Sequence, residues 1–399
     1  MEAIKLALVG CGGISAAHVK GYGDLFRRGC EEFVVTACCD PNVESAETRA
    51  AEIAEVQGSQ PAVFPSVEAL VEAGVAEAAD VCVPHCFHHT VATTLLKGGL
   101  HAMVEKPMGL TVKATKRIIE VADRNDRVLA YGENIRRYLT ARSCEWAINS
   151  QHLIGDMRLV TLNSINTQPF NYDSPAFKWR GVKVLTGGGM IMDSGAHLAD
   201  MAQVLFGEVD EIYCTMQAYD NRPVPAAPVV GTCTADVEDT WHAVIRFKSG
   251  LHMTWTYSRS LYGERQVFAH YYGSEGMMKD LGFPFHPFQG GGVAHLADGS
   301  VVSSEQIQLD YLMDLADAQR AQLFPYGSTD GFAVEVWDFV NAIATGRKPE
   351  MDGTDGLRAK TLSECCYESA VAGAPVKYDD VLEGRVDAYQ RPIDEYWQI

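Results

Sequence analysis

Three groups of residues in this chain have the types and spacing to do chemistry. The first is Gly10-Cys11-Gly12-Gly13-Ile14-Ser15. It reads G-x-G-x-x-S, a turn in which glycine backbone can approach a phosphate and a small Ser15 lets a helix pack against the preceding strand. The second is Asp193 and His197 in "GGGMIMDSGAHLADM". Four residues apart, they would share one face of a helix. His197 carries a side chain whose ordinary pKa suits a general base near neutrality, and Asp193 could hold a hydroxyl or orient the group. The glycines at 187–189 would let backbone come close to a ligand, and Asp200 either supports the pair or is solvated. The third is "VCVPHCFHHT", residues 81–90, with two cysteines and three histidines. Thiolate and imidazole are the usual zinc donors, but structural zinc sites come as two separated pairs, and here every donor sits in one short run.

These groups need elements to place them. "IKLALV" is a short buried strand before the glycine turn, and a helical stretch follows it. That order points the helix N-terminus and its N–H groups at a diphosphate, so Gly10, Gly12, Gly13 and Ile14 are candidate cofactor contacts. The second strand, "EFVVTACCD", ends at Asp40. An acidic residue there accepts hydrogen bonds from the adenosine ribose. No Arg follows it directly, which favours NAD over NADP. Strands alternate with helices up to "LHAMVEKP", so a parallel, doubly wound sheet is expected, with ligands beyond the carboxyl ends of its strands. "PHCFHH" and Lys106 in "EKP" both fall there. In "AADVCVP", Val81 and Val83 face one way and Cys82 the other, so Cys82 is a small buried hydrophobe turned from the histidine loop.

From about residue 133 the pattern changes to the apolar–polar alternation of antiparallel strands. The expected architecture is α/β. A Rossmann domain spans 1–132, and an α/β domain with a large open, mainly antiparallel sheet spans 133–399. Residues 223–233 read as an irregular excursion and 283–330 as a longer one that shapes specificity or assembly. "GFAVEVWDFVNAIATG" and "GLRAKTLSECCYESAVAG" read as closing helices.

The chain has 399 residues and a net charge of −19. That length implies two domains. The charge opposes binding to nucleic acid and to anionic membrane surfaces. No stretch approaches the roughly 20 apolar residues that span a bilayer. Eleven cysteines, an odd number that includes the adjacent pairs Cys38–Cys39 and Cys365–Cys366, suit reduced thiols and a cytoplasmic location.

"VGCGGISAAH", "VPHCFHH", "VEKPMGLTV" and "GGGMIMDSGAHLADM" occur in that order. In order and spacing they resemble the Gfo/Idh/MocA family, named for glucose–fructose oxidoreductase and inositol dehydrogenase. The resemblance implies NAD as cofactor, a sugar, glycoside or polyol as substrate, and a homo-oligomer, a dimer or tetramer built on the open sheet. It makes the 84–88 loop a cofactor-side loop rather than a metal site: Pro84 and His88 match the family pattern, and His85 stands where an Asn is usual. It places Lys106 near the nicotinamide and the reacting hydroxyl, with Glu105 beside it, and Asp193 and His197 in the active site between the domains. Asn134, Trp179 and Arg180 fall where the family often has cofactor contacts. Tyr172, Tyr257 and His270 are either sugar contacts or core. The expected activity is NAD-dependent hydride transfer at a ring hydroxyl. The same superfamily also offers a redox-assisted glycosidase and a non-enzymatic sugar sensor.

Overall fold

The structure, a computed structural model, describes residues 2–399. It divides into two compact units.

The first unit opens with β1 (Ile4–Val9), α1 (Ser15–Arg27), β2 (Phe33–Cys39), α2 (Val43–Gln57), β3 (Ala62–Phe64), α3 (Val67–Ala73), β4 (Ala78–Val81), α4 (His88–Lys97), β5 (His101–Glu105), α5 (Val112–Arg124) and β6 (Leu129–Gly132). The six strands form one parallel sheet in the order β3-β2-β1-β4-β5-β6. The order in which strands are added reverses between β1 and β4, and at such a switch point open α/β sheets bind ligands beyond the carboxyl ends of the strands. Leu6, Leu8, Val35 and Cys38 are fully buried in the core under this sheet.

The second unit begins with α6 (Leu139–Asn149) and β7 (Met157–Ile165), then two single turns of helix, α7 (Pro175–Lys178) and α8 (Lys183–Thr186), and α9 (Gly195–Phe206). The strands β8 (Val209–Gln217), β9 (Pro223–Ala227), β10 (Gly231–Thr234), β11 (Thr240–Phe247), β12 (His252–Ser258), β13 (Gln266–Gly273), β14 (Gly276–Asp280), β15 (Gly292–Leu296) and β16 (Val301–Val302) follow, with α10 (Ser304–Asp314). A nine-stranded sheet runs β16-β15-β14-β13-β7-β12-β11-β8, with a short strand at Val376–Lys377 on its far edge. Every pairing is antiparallel except β7 with β12. One face is packed: Trp241, Trp255 and Tyr271 are buried on it, and Phe206 of α9 meets Phe247 at 5.3 Å. Phe268, His270 and Tyr272 alternate with the buried residues of β13 and so lie on the other face.

Two expectations need correction here. Residues 223–233 are not irregular: β9 and β10 pair as a separate antiparallel hairpin, turned at Val229 and Gly231 with φ of 65° and 82°. The excursion 283–330 is not one loop either. It supplies β15, β16, α10 and α11 (Asp317–Leu323), because β15 adds to the edge strand β14 and β16 in turn pairs with β15. The contacts also divide the chain otherwise than at residue 132. The first unit runs to Arg137 and takes in 317–357, with α12 (Gly331–Thr345). Val336, Phe339 and Val340 of α12 are buried with Leu6, Val19 and Tyr22. Gly21 of α1 makes the close approach possible, since a Cβ there would lie 2.9 Å from the Ala333 nitrogen.

Candidate active site

At the carboxyl end of β1, Gly10 turns with φ 89°, and a Cβ on it would stand 2.6 Å from the Cys82 carbonyl oxygen. Only glycine fits there. Gly12, Gly13 and Ile14 follow, exposed, at the start of α1, and a Cβ on Gly12 or Gly13 would meet no atom within 4 Å. Asp40 stands beside this turn. Its carboxylate accepts the Cys11 N–H at 2.8 Å and the Asn42 N–H at 2.8 Å. An open glycine turn at a helix N-terminus, with a carboxylate at the end of the second strand, fits a dinucleotide without a 2′-phosphate. Sequence reading missed Arg49 of α2, which donates to the Ser15 hydroxyl at 3.0 Å and pairs with Glu52. That places one cation at the glycine turn, where it also reaches the Gly12 carbonyl oxygen at 3.4 Å.

Behind the turn lies a buried network. His18 of α1 has Nδ1 2.8 Å from Asp80 and Nε2 2.9 Å from Glu105, with Glu335 of α12 3.8 Å away. Tyr22 also donates to Asp80. Burial works against charge on His18, but the Asp80 carboxylate outweighs it and holds the imidazole pKa well above its ordinary value. Burial raises Glu335 well above the carboxylate range. The other Glu105 oxygen accepts the Lys106 N–H at 3.0 Å, so the network fixes the end of β5 from which Lys106 projects. The only signal for this in the sequence was a His on the buried face of an amphipathic helix.

The 84–88 loop is a single helical turn beyond β4. His88 is buried, with its ring nitrogens 2.8 Å from the Pro107 and Val83 carbonyl oxygens, which joins this loop to the one after Lys106. Cys82 Sγ lies 3.6 Å from Asp80, beside His18 of the buried network. His85 is buried with its ring 5.8 Å from that of His88. Asn134, also buried, accepts the Arg137 N–H through its carbonyl at 3.1 Å.

In the second unit the glycine run departs from expectation. α9 starts at Gly195, so Asp193 lies in the turn before it and does not share a helical face with His197. Gly187 and Gly188 have φ of 80° and 158°, and the turn from 189 is held by Glu238. That buried carboxylate accepts the Gly189 N–H at 2.7 Å, the Ile191 N–H at 3.1 Å and the Tyr367 hydroxyl at 2.8 Å. Burial pushes Glu238 up to about 7 against the pull of these bonds. The turn sets Asp193 opposite Arg180, which donates to it through Nε at 2.7 Å. The Arg180 guanidinium also lies 4.3 Å from the Trp179 ring, so Trp179, Arg180 and Asp193 form one group. His197 follows on the first turn of α9, buried, its ring 4.9 Å from that of His286. Asp200 is buried one turn further on. Tyr172 is buried, and Arg259 donates to its hydroxyl at 3.2 Å. Tyr257 stacks on Trp241 in the core, and His270 stacks on Phe268 on the outer sheet face.

Residues 4–133 match the model of an oxidoreductase family with an NAD-binding Rossmann fold, and residues 147–279 match the Gfo/Idh/MocA C-terminal domain. The chain belongs to the Gfo/Idh/MocA family. It is therefore an NAD-dependent oxidoreductase. Among its relatives, a levoglucosan dehydrogenase from Pseudarthrobacter phenanthrenivorans is 23% identical over 327 residues, 73% of this chain and 77% of the relative. A myo-inositol 2-dehydrogenase from Thermotoga maritima is 23% identical over 385 residues, 95% of this chain and all of the relative. The fold is shared with a levoglucosan dehydrogenase solved with NADH and levoglucosan, at a TM-score of 0.73 and 20% identity over 94% of this chain and 99% of the other. No helix among the described residues is long and apolar enough to cross a membrane.

Proposed function

We propose that this family member moves a hydride between NAD and a ring hydroxyl of a sugar, glycoside or polyol. NAD would be held by Gly10, Gly12, Gly13 and Ile14 at its diphosphate and by Asp40 at its adenosine ribose, with Pro84, His85, His88, Glu105, Lys106, Asn134, Trp179 and Arg180 as the further cofactor-side residues. Bound, it supplies the hydride acceptor. The chain's own residues do the rest. As C–H hydride leaves, the O–H proton must leave too, or a protonated carbonyl results. We assign that proton to Lys106 and His197, and the holding of the hydroxyl to Asp193. The observation that supports this most is Asp193 fixed by Arg180 beside His197. A paired carboxylate and an imidazole gathered at one helix start suit the binding of a polar ligand. The curated relatives named as levoglucosan and myo-inositol dehydrogenases point to the same substrate class. The eleven free cysteines suit a reducing compartment, in keeping with a cytoplasmic location.

The test is turnover by Lys106→Ala and His197→Ala. Loss of a general base costs about 10²–10⁴-fold in rate, so both should fall by that order while NAD binding changes little. Near wild-type turnover in both overturns the assignment.

A further inference from the structure

The glycine turn is braced from α2. Arg49 Nε donates to the Ser15 hydroxyl oxygen at 3.0 Å, and that hydroxyl donates to the Gly12 carbonyl oxygen at 2.6 Å. Arg49 Nη2 reaches the same carbonyl at 3.4 Å, which closes a ring of hydrogen bonds beside the turn. Ser15, the residue in place of a third glycine, is thus the link between the turn and the guanidinium. Arg49 Nη1 pairs with Glu52, three residues further along α2. A guanidinium carries five N–H donors. Ser15, Gly12 and Glu52 take one each, which leaves one N–H on each terminal nitrogen. The Arg49 side chain is only 15% exposed and so is held in place, whereas that of Glu52 is 44% exposed and can turn to water.

We propose that Arg49 is a further cofactor-binding residue: its guanidinium meets the diphosphate of NAD at the glycine turn, and Glu52 holds that guanidinium until phosphate oxygens replace it. The inference rests on the diphosphate seat at Gly12, Gly13 and Ile14 proposed above. The charges call for such a partner. Asp40 sets a carboxylate beside the turn, bound to the Cys11 N–H at 2.8 Å, and a diphosphate brings further negative charge next to it. The start of α1 offers N–H groups and the equivalent of about half an elementary positive charge. A guanidinium at the same turn offsets the remaining repulsion, and its planar fork suits phosphate oxygens. Glu52 yields the pair at little cost, since an ion pair so exposed shifts an equilibrium by no more than about fivefold.

The experiment is calorimetric titration with NAD⁺, ADP-ribose and NADP⁺ at low and high NaCl. Wild type, Arg49→Ala, Arg49→Lys, Glu52→Gln and Gly10→Ala are compared. A hydrogen bond to a charged group is worth about 10- to 100-fold. Arg49→Ala should weaken NAD⁺ and ADP-ribose alike by at least about tenfold, and affinity should then fall less steeply with salt. Arg49→Lys should recover part of the loss, because it keeps the charge without the fork. Glu52→Gln should tighten NAD⁺ by about two- to fivefold, the opposite of what a merely structural ion pair gives. Four results overturn this inference alone: Arg49→Ala with wild-type affinity for NAD⁺, a loss confined to NADP⁺ that marks a 2′-phosphate contact instead, an unchanged salt dependence, or Glu52→Gln with NAD⁺ affinity unchanged or weakened. Gly10→Ala with wild-type affinity overturns the diphosphate seat itself, and this inference with it.

Discussion

Glu238→Gln changes one atom of the carboxylate that shapes the turn before Asp193. In the native protein, one Glu238 oxygen takes the Ile191 N–H and the Tyr367 hydroxyl, and the other takes the Gly189 N–H. A Gln that keeps its oxygen on the first pair sets its NH₂ against the Gly189 N–H, donor against donor. One such mismatch in a buried site costs about 1–3 kcal/mol. The native carboxylate carries its own cost. Burial raises its pKa from 4.5 to about 7, so the folded chain holds this proton more tightly than the unfolded one. The stabilisation is complete below about pH 4.5 and is lost as pH rises through about 7, roughly 3 kcal/mol in all. Gln does not titrate. The variant should therefore be the less stable protein at pH 5, and the gap should close or reverse by pH 8. Urea unfolding of both proteins at the two pH values measures this directly, and other titrating groups cancel in the difference. A gap that stays constant or widens with pH refutes the reasoning.

Asp40→Ala should weaken NAD⁺ binding by about 10- to 100-fold, since hydrogen bonds to a charged group are worth about 1.5–3 kcal/mol. It should also relax the preference over NADP⁺; equal affinity of the wild type for both cofactors would refute the role. Gly10→Ala forces a Cβ within 2.6 Å of the Cys82 carbonyl oxygen at a φ of 89°, so NAD⁺ binding measured by calorimetry should fall sharply, and an unchanged affinity would contradict the turn's role. Elemental analysis should find no stoichiometric zinc at the 81–90 stretch, and chelation should leave activity intact. Light scattering at micromolar protein should give a dimer or tetramer through the outer sheet face that carries Phe268, His270 and Tyr272; a monomeric mass would count against it.

Much of the first unit was legible because its signals are local. The glycine turn, the strand before it and Asp40 at the end of the next strand stand in a fixed register, and the structure keeps it. The second unit was legible as alternating strands, but not in its pairing. β15 and β16 are short and flanked by Gly and Ser, so they have little pattern of their own and only pairing with the strand before each defines them. Asp193 read as helical because the i, i+4 spacing was right; the glycine run and Glu238, 45 residues on, hold it in a turn instead. The attachment of α12 to the first unit, and the placement of His286 against His197, are tertiary facts with no periodicity of their own.

The central claim is net hydride transfer from a carbohydrate ring hydroxyl to NAD⁺. The most direct measurement follows NADH absorbance and product mass together during turnover of a glycoside such as methyl α-D-glucopyranoside alongside myo-inositol. The account predicts one NADH for each substrate converted and a product two hydrogens lighter with its glycosidic bond intact. Release of the aglycone without accumulating NADH would contradict it and assign the chain to redox-assisted glycoside cleavage.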